Sequence, residues 1–188
     1  MSLQEFRNIA PRARWIFAGM GTNTDRDDSS VYFDAQGNPG GKGHGTCMLS
    51  RIGGQVYGVA KKISPVIVRV GGKKNAEDYL DAVSKTLDDF RLQKAAGTFA
   101  RAVINMSFHY YPEQVNQGWI DRFRALLQAM VAEGLFIVTG SGNDGHVSHP
   151  LLSLPASNTI SSRRLPVSRH HSPILLSPRA KVYLNSLL

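Results

Sequence analysis

Cysteine is almost absent from this chain of 188 residues, which contains one, Cys47. A single thiol excludes an internal disulfide, and no ligand spacing of the zinc type is present. The sequence also lacks an apolar run that approaches the ~20 residues of a membrane-spanning helix, so we predict no membrane partner. Residues 1–11 contain Glu5, Arg7 and Asn8 and have no apolar centre, so no N-terminal signal is expected and no compartment is assigned.

Acidic residues are absent from the last part of the chain. Residues 151–188 carry five Lys or Arg and no acid, whereas residues 1–150 carry 17 cations against 14 acids. The net charge of +8 therefore owes most to this tail. A basic protein raises nucleic-acid binding as an alternative function. However, the sequence has no basic face with interleaved aromatic residues, so no nucleic-acid partner is predicted.

The same tail lacks a regular hydrophobic period. Residues 159–188 mix Ser, Arg, Pro and Leu, and Pro166, Pro173 and Pro178 would interrupt any helix. We therefore place a boundary at residue 158. Residues 1–158 are predicted to form the folded domain, and the residues after them a basic extension that is poorly ordered.

What the sequence does contain is an alternation of apolar strands and amphipathic helices. Strands are predicted at 14–18, 65–70, 102–107 and 135–140, and helices at 46–52, 75–97 and 119–131. This order implies right-handed crossovers and an α/β fold with helices on the faces of a parallel sheet. Sites in such sheets form at the carboxyl ends of the strands. Residues 20–42 are predicted to be a long polar loop, whose aspartates match no calcium-binding spacing.

A histidine between two glycines is the strongest candidate for a functional group. His44 precedes a short apolar run, so we expect it at the start of a helix that Gly53 ends, with its imidazole open to a cleft. A histidine held in this way commonly transfers protons near neutral pH. The alternative is a surface histidine in a glycine-rich loop. Cys47 could form a nucleophilic pair with His44, but we expect it to be a small buried residue behind the histidine.

Several segments, in this order, resemble the subtilisin-like serine proteases (peptidase S8), and the proteinase K-like members most closely. Gly43-His44-Gly45-Thr46, with Tyr57-Gly58-Val59-Ala60-Lys61 after it, resembles the histidine motif and the strand that follows it. Val103-Ile104-Asn105-Met106-Ser107 resembles the strand that leads to the substrate cleft. Ser141-Gly142-Asn143-Asp144 resembles the segment that carries the oxyanion asparagine, and Glu5-Phe6-Arg7-Asn8 the stretch just after the catalytic aspartate.

This resemblance implies a three-layer subtilisin-like fold with a mostly parallel sheet, here truncated at both ends, that acts on a peptide or protein substrate. His44 would be the general base and then the general acid, and Asn143 would donate a hydrogen bond to the oxyanion. The predicted substrate-binding residues are Ser107, Phe108, His109, Ser141 and Gly142. No cofactor is predicted. Family members often bind structural calcium and are often extracellular, but no metal site is identified, since His146 and His149 lack a third ligand nearby.

The sequence departs from the family at the other two members of the catalytic triad. The aspartate motif, Asp-Thr/Ser-Gly, and the nucleophile motif, Gly-Thr-Ser-Met-Ala, are both absent. The family commonly has Ser-Leu-Gly-Gly where Ser107-Phe108-His109-Tyr110 stands, and these bulky side chains argue against the usual extended-peptide binding. We therefore expect a serine endopeptidase domain that is catalytically incomplete alone. A non-catalytic pseudo-protease that binds peptides or inhibitors is the alternative, and the oligomeric state is left open.

Overall fold

The computed structural model describes residues 4–19, 21, 24, 26, 31–33, 39–71, 75–98, 101–108, 114–139, 159–161 and 181–185. The strands in these residues are β1 (Arg14–Ala18), β2 (Val31–Phe33), β3 (Pro39–Lys42), β4 (Ser64–Val70), β5 (Ala102–Met106), β6 (Leu135–Thr139), β7 (Thr159–Ser161) and β8 (Lys181–Asn185). The helices are a short 3₁₀-helix (Ala10–Arg12), α1 (His44–Gly53), α2 (Ala76–Ala95) and α3 (Gln117–Ala132). None of these helices combines the length and the apolarity that crossing a membrane requires.

Six of the strands form one sheet, in the order β1-β4-β8-β5-β6-β7. Every pairing in this sheet is parallel. At its centre, Tyr183 of β8 lies between Val66 of β4 and Ile104 of β5. β2 and β3 form a separate antiparallel pair. The predicted α/β class, with helices around a parallel sheet, is thus confirmed.

The helices cover both faces of the sheet. Alternate residues of a strand point to opposite sides, so one strand can pack side chains against helices on both faces. On one face, Ile67 of β4 belongs to the same apolar cluster as Leu49 of α1, and Val103 of β5 packs against that cluster. On the other face, Val66 and Ile104 belong to a cluster that they share with residues of α2 and α3. The three layers are therefore α1, the sheet, and the pair of α2 and α3.

Asparagine side chains cap the two long helices. The Asn75 side chain accepts a hydrogen bond from the Asp78 N–H at 2.9 Å, and the Asp78 carboxylate accepts one from the Asn75 N–H at 3.2 Å, which completes a capping box. At the start of α3, the Asn116 side chain accepts a hydrogen bond from the Trp119 N–H at 2.8 Å. Gly134 follows α3 with a φ of 94°, the left-handed backbone that glycine adopts without strain. Both predicted helices are confirmed.

Two predictions for the segments on either side of α1 are wrong. The sequence predicts a loop over residues 20–42, but the described part of this segment contains β2 and β3, and the residues of β3 have low strand propensity. Residues 57–61 resemble a family strand but lie in turns, where the Gly58 N–H donates to the Gly54 carbonyl at 3.0 Å. A Cβ atom on Gly58 would lie 2.3 Å from the Gly54 nitrogen, so this tight turn depends on glycine.

Two short parts of the tail join the sheet, although residues 159–188 show no regular pattern. β7 pairs with β6, and β8 lies between β4 and β5. Tyr183 is fully buried, its hydroxyl donates to the Asp89 carboxylate of α2 at 2.9 Å, and the Arg14 guanidinium of β1 contacts the same carboxylate. Burial, reinforced by the charge of Asp89, raises the pKa of the Tyr183 phenol. The domain boundary at residue 158 stays a prediction.

Candidate active site

His44 is the first residue of α1, as predicted. Gly43, immediately before it, has a φ of 103°, in the left-handed region where a side chain would be strained. The Cys47 N–H donates to the Gly43 carbonyl at 2.9 Å, so the helical hydrogen bonds begin at this glycine. The His44 side chain is half-buried, and its Nδ1 atom is shielded from solvent. Its role in proton transfer stays a prediction.

The other end of α1 is fixed at the amino edge of the sheet. The Asn8 side chain donates to the Gly53 carbonyl at 3.0 Å, and a Cβ atom on Gly53 would lie 2.7 Å from Ile63, which directly precedes β4. The 10 residues of α1 span about 15 Å, and Leu49 shares a cluster with Ile67 of β4. We infer that the helix runs from its first residue, His44, toward the amino edge, so that His44 lies on the side of the carboxyl edge, where α/β sheets form their sites.

Ser107 and Phe108 follow β5 at this carboxyl edge. The Asn105 side-chain amide donates to the Ser107 hydroxyl at 2.9 Å. The Phe108 ring lies 4.5 Å from the Tyr79 ring of α2 and 6.5 Å from the Phe123 ring of α3, measured between centroids. The Phe108 side chain therefore packs against α2 and α3, and the roles of Ser107 and Phe108 in substrate binding stay predictions.

The remaining predicted site residues lie outside the described residues. They are His109, Ser141, Gly142 and Asn143. β6 ends at Thr139, so the last three follow that strand closely in the sequence. Their predicted roles in substrate binding and in the oxyanion site stay predictions.

Cys47 is exposed, so the prediction of a buried residue behind His44 is wrong. The buried residues of α1 are Gly45, Leu49 and Gly53, which are four residues apart and form one face of the helix. Cys47 comes two residues after Gly45, and at 3.6 residues a turn this spacing puts it on the opposite, solvent-facing side. The thiol is therefore accessible to reagents near the start of the helix.

Glu5 fastens the segment that follows α1. Its carboxylate accepts a hydrogen bond from the Ser50 hydroxyl at 2.9 Å and from the N–H groups of Val56 and Tyr57 at 3.0 and 3.2 Å. Burial opposes the charged form, but these hydrogen bonds outweigh it and hold the pKa of Glu5 below its ordinary value of 4.5. The sequence does not indicate this role, because the partners lie 45 to 52 residues away.

Two further side chains near the N-terminus act on the same segment. Asn8 donates to the Lys61 carbonyl at 2.8 Å, in addition to its bond to the helix end. The Arg12 guanidinium donates to the Lys62 carbonyl at 2.9 Å and to the Lys61 carbonyl at 3.1 Å. We call Glu5, Asn8 and Arg12 the N-terminal clamp. The clamp fixes the carboxyl end of α1 and so helps to determine where its first residue lies.

A metal site would need several ligating side chains close together among the residues that the structure describes. Those residues contain no group of three or more His, Cys, Asp or Glu side chains that could hold a metal ion. The sequence candidates for metal binding lie outside the described residues. They are Asp25, Asp27, Asp28, Asp34, His146 and His149.

The chain is similar to curated fungal proteases. "Subtilisin-like protease 3" of Trichophyton tonsurans is 29% identical over 166 residues, which are 83% of this chain and 36% of that protein. The protein of the same name from Arthroderma otae is 29% identical over 170 residues, 85% of this chain and 36% of that protein. "Alkaline protease 1" of Aspergillus flavus is 29% identical over 133 residues, 66% of this chain and 30% of that protein.

The chain thus spans 36% of the length of the first of these relatives. No protein-family profile matches the chain. No solved structure matches it either. The similarity to two kinds of fungal protease supports a subtilisin-like protease family.

Proposed function

We propose that this chain carries part of a subtilisin-like serine endopeptidase domain, in which His44 is the proton-transfer group. The observation that supports the proposal is that His44 is the first residue of α1, a helix whose other end, Gly53, packs against Ile63 directly before β4. The similarity to subtilisin-like proteases over 83% of the chain supports it independently. The substrate class that follows is a peptide or a protein.

The proposed chemistry is acyl transfer through a serine nucleophile. In the family, an aspartate orients the histidine, and the histidine takes the proton of the serine hydroxyl and later returns it to the leaving amine. His44 would perform both transfers. Asn143 would donate to the oxyanion that develops on the substrate carbonyl, and the main chain of residues 107–109 would flank the substrate.

We further propose that this polypeptide alone forms no acyl-enzyme. The motifs that carry the aspartate and the serine in the family do not occur in this sequence. Without a serine nucleophile, the histidine has no hydroxyl proton to accept, so the family mechanism cannot begin. A fluorophosphonate probe, which reacts with activated serines, is expected to leave the folded chain unlabelled, and stoichiometric labelling would refute this part of the proposal.

A peptide chloromethyl ketone tests the role of His44 without requiring the serine. This reagent alkylates a histidine beside which its peptide part binds, and a Cys47→Ser background removes the exposed thiol as a competing target. Peptide mapping by mass spectrometry is expected to find His44 modified several-fold faster by this reagent than by chloroacetone, which has the same reactive group but lacks the peptide. Equal rates for the two reagents at His44, or equal acceleration at all six histidines, would contradict the proposed site.

A further inference from the structure

The turn between α1 and β4 presents three apolar side chains to solvent. Val56 is 59% exposed, Tyr57 65% and Val59 90%. We call these three residues the apolar turn. Single exposed apolar residues are ordinary on protein surfaces. Here three of them lie within four positions of one turn, and clusters of exposed apolar residues commonly mark interaction sites.

The apolar turn is held in one conformation by hydrogen bonds. The Glu5 carboxylate accepts from the N–H groups of Val56 and Tyr57. The N–H of Val59 donates to the Arg51 carbonyl at 3.2 Å, and the turn closes on Gly58, where a Cβ atom would collide with backbone. A partner that binds here therefore meets a surface that is already ordered, which lowers the entropic cost of association.

Three cations, Arg51, Lys61 and Lys62, lie beside or close to the apolar turn in the sequence, and one acid, Glu5, binds its main chain. The Arg51 guanidinium lies over the Tyr57 ring, 5.6 Å from its centroid. The Lys61 ammonium donates to the Gln55 carbonyl at 2.6 Å and to the Val56 carbonyl at 3.3 Å. Lys62 is exposed beside it, and residues 44–63 contain no acid. We call Arg51, Lys61 and Lys62 the basic rim.

We propose that the apolar turn and its basic rim form a docking surface for an acidic polypeptide segment that also carries apolar side chains. Such a segment would cover the two valines with its apolar residues and pair its carboxylates with the rim. Tyrosine and arginine, which meet here as Tyr57 and Arg51, are enriched among the residues that dominate binding energy. A nucleic acid would satisfy the rim but offers no apolar side chain to the valines.

Fluorescence anisotropy with the full chain tests this surface. The probe is a short fluorescein-labelled peptide in which glutamate alternates with leucine and phenylalanine, and saturable binding is expected. Val59→Ser should weaken binding roughly tenfold, since Val59 would lie under the bound peptide. The matched control is Leu92→Ser on α2, which removes an apolar side chain of 66% exposure from another part of the surface and should leave the affinity unchanged.

The charge of the rim is tested in the same assay. Lys62→Glu should weaken binding several-fold and reduce its dependence on salt, whereas Arg101→Glu, at an exposed position before β5, should do neither. The proposal is overturned if a peptide with serine in place of leucine and phenylalanine binds equally well, or if Val59→Ser has no effect. It is also overturned if an oligothymidylate or a phosphatidylserine vesicle binds this surface more tightly than the peptide.

Discussion

At the start of α1, Gly43 contributes a backbone conformation and His44 contributes the candidate functional side chain. The residue before this helix, Gly43, has no side chain to serve as a cap, and its backbone is left-handed. The N–H of Cys47 already donates to the carbonyl of that glycine. The direction in which the imidazole leaves the helix is therefore tied to a conformation that other residues adopt only with strain.

Gly43→Ala is expected to lower the free energy of unfolding by about 1–2 kcal/mol, because alanine is strained at this φ. The matched control is Gly118→Ala inside α3, where a Cβ atom would lie no closer than 3.4 Å to its nearest neighbour. That substitution should raise stability by about 0.5–1 kcal/mol through helix propensity. Urea denaturation of the three proteins measures both changes, and a Gly43→Ala protein as stable as the parent would contradict the role of this backbone.

Glu5→Gln is expected to flatten the dependence of stability on pH in the acid range. The pKa of Glu5 is lowered in the folded chain, so its carboxylate stabilises the fold above the ordinary pKa of 4.5. That contribution is lost as the pH falls through the folded-state pKa. Urea denaturation from about pH 7 to about pH 3 should therefore show a shallower loss of stability in the variant than in the parent.

Glu133→Gln provides the comparison for Glu5→Gln, because high salt should reduce the effect of the first substitution on the pH profile but not that of the second. The pKa of Glu133 is also lowered, by hydrogen bonds from Lys94 and Arg91, which are exposed cations. At about 1 M salt its effect on the pH profile should fade, since exposed ion pairs are screened. The effect of Glu5 should persist, since two of its donors are backbone N–H groups. Equal loss of both effects in salt would contradict the N-terminal clamp.

The candidate site could be predicted in part from the sequence at the residue scale. The glycines around His44 and the apolar run after it predict a helix start, and α1 confirms that prediction. The exposure of Cys47 could not be predicted from its spacing to His44. The two residues lie near one side of the helix, but the buried side of α1 is the one that contains Gly45. The role of Glu5 could not be seen either, since its partners lie 45 to 52 residues away.

At the scale of elements, β8 contributes more to holding the sheet together than its length suggests. It pairs with β4 on one side and with β5 on the other. β4 and β5 are connected in the chain through α2 but do not pair with each other, so β8 joins them in the sheet. Its Tyr183 hydroxyl reaches Asp89 of α2, and Arg14 of β1 contacts the same carboxylate. The ring of Tyr183 also meets Phe90 edge-on, 6.4 Å between centroids. One buried side chain thus links the strand to α2 directly and to β1 through Asp89.

Tyr183→Ala is expected to lower the free energy of unfolding by about 3–5 kcal/mol, because it leaves a cavity under α2 and removes a buried hydrogen bond. Tyr183→Phe keeps the ring and should cost about 1 kcal/mol. The control is Tyr57→Ala, at a tyrosine of 65% exposure, which should change stability by no more than about 0.5 kcal/mol. Calorimetry or urea denaturation measures the series, and similar values for Tyr183→Ala and Tyr57→Ala would contradict the central position of β8.

The elements that the sequence predicts are those with a strong local pattern. β4 is a nearly continuous apolar run, and α2 has both a capping asparagine and helical spacing of its apolar residues. β8 has only Val182, Tyr183 and Leu184 as apolar residues, which is too short a run to show a period. Its conformation is decided by the two strands beside it, and a tertiary preference of this kind leaves no mark in the local sequence.

At the scale of the whole molecule, the strands of the sheet should differ measurably in how strongly their amides are protected from hydrogen exchange. Strands in the interior of a sheet open only with much of the fold, whereas edge strands open more easily. The amides of residues 182–184 in β8 should therefore exchange with deuterium as slowly as those of Ile104 in β5, and more slowly than those of β7 at the sheet edge. Hydrogen exchange followed by mass spectrometry measures this order. Complete exchange of β8 within seconds would contradict its place in the sheet.

The position of β8 also has a consequence for the way this protein is made. A ribosome delivers the strands in sequence order, so β4 and β5 emerge long before the strand that lies between them. Until residues 181–185 arrive, the nascent chain carries two open strand edges that face each other across a gap. Such edges attract other chains. β8 therefore closes the gap between β4 and β5, and the interval before its arrival is when the nascent chain would most need a chaperone.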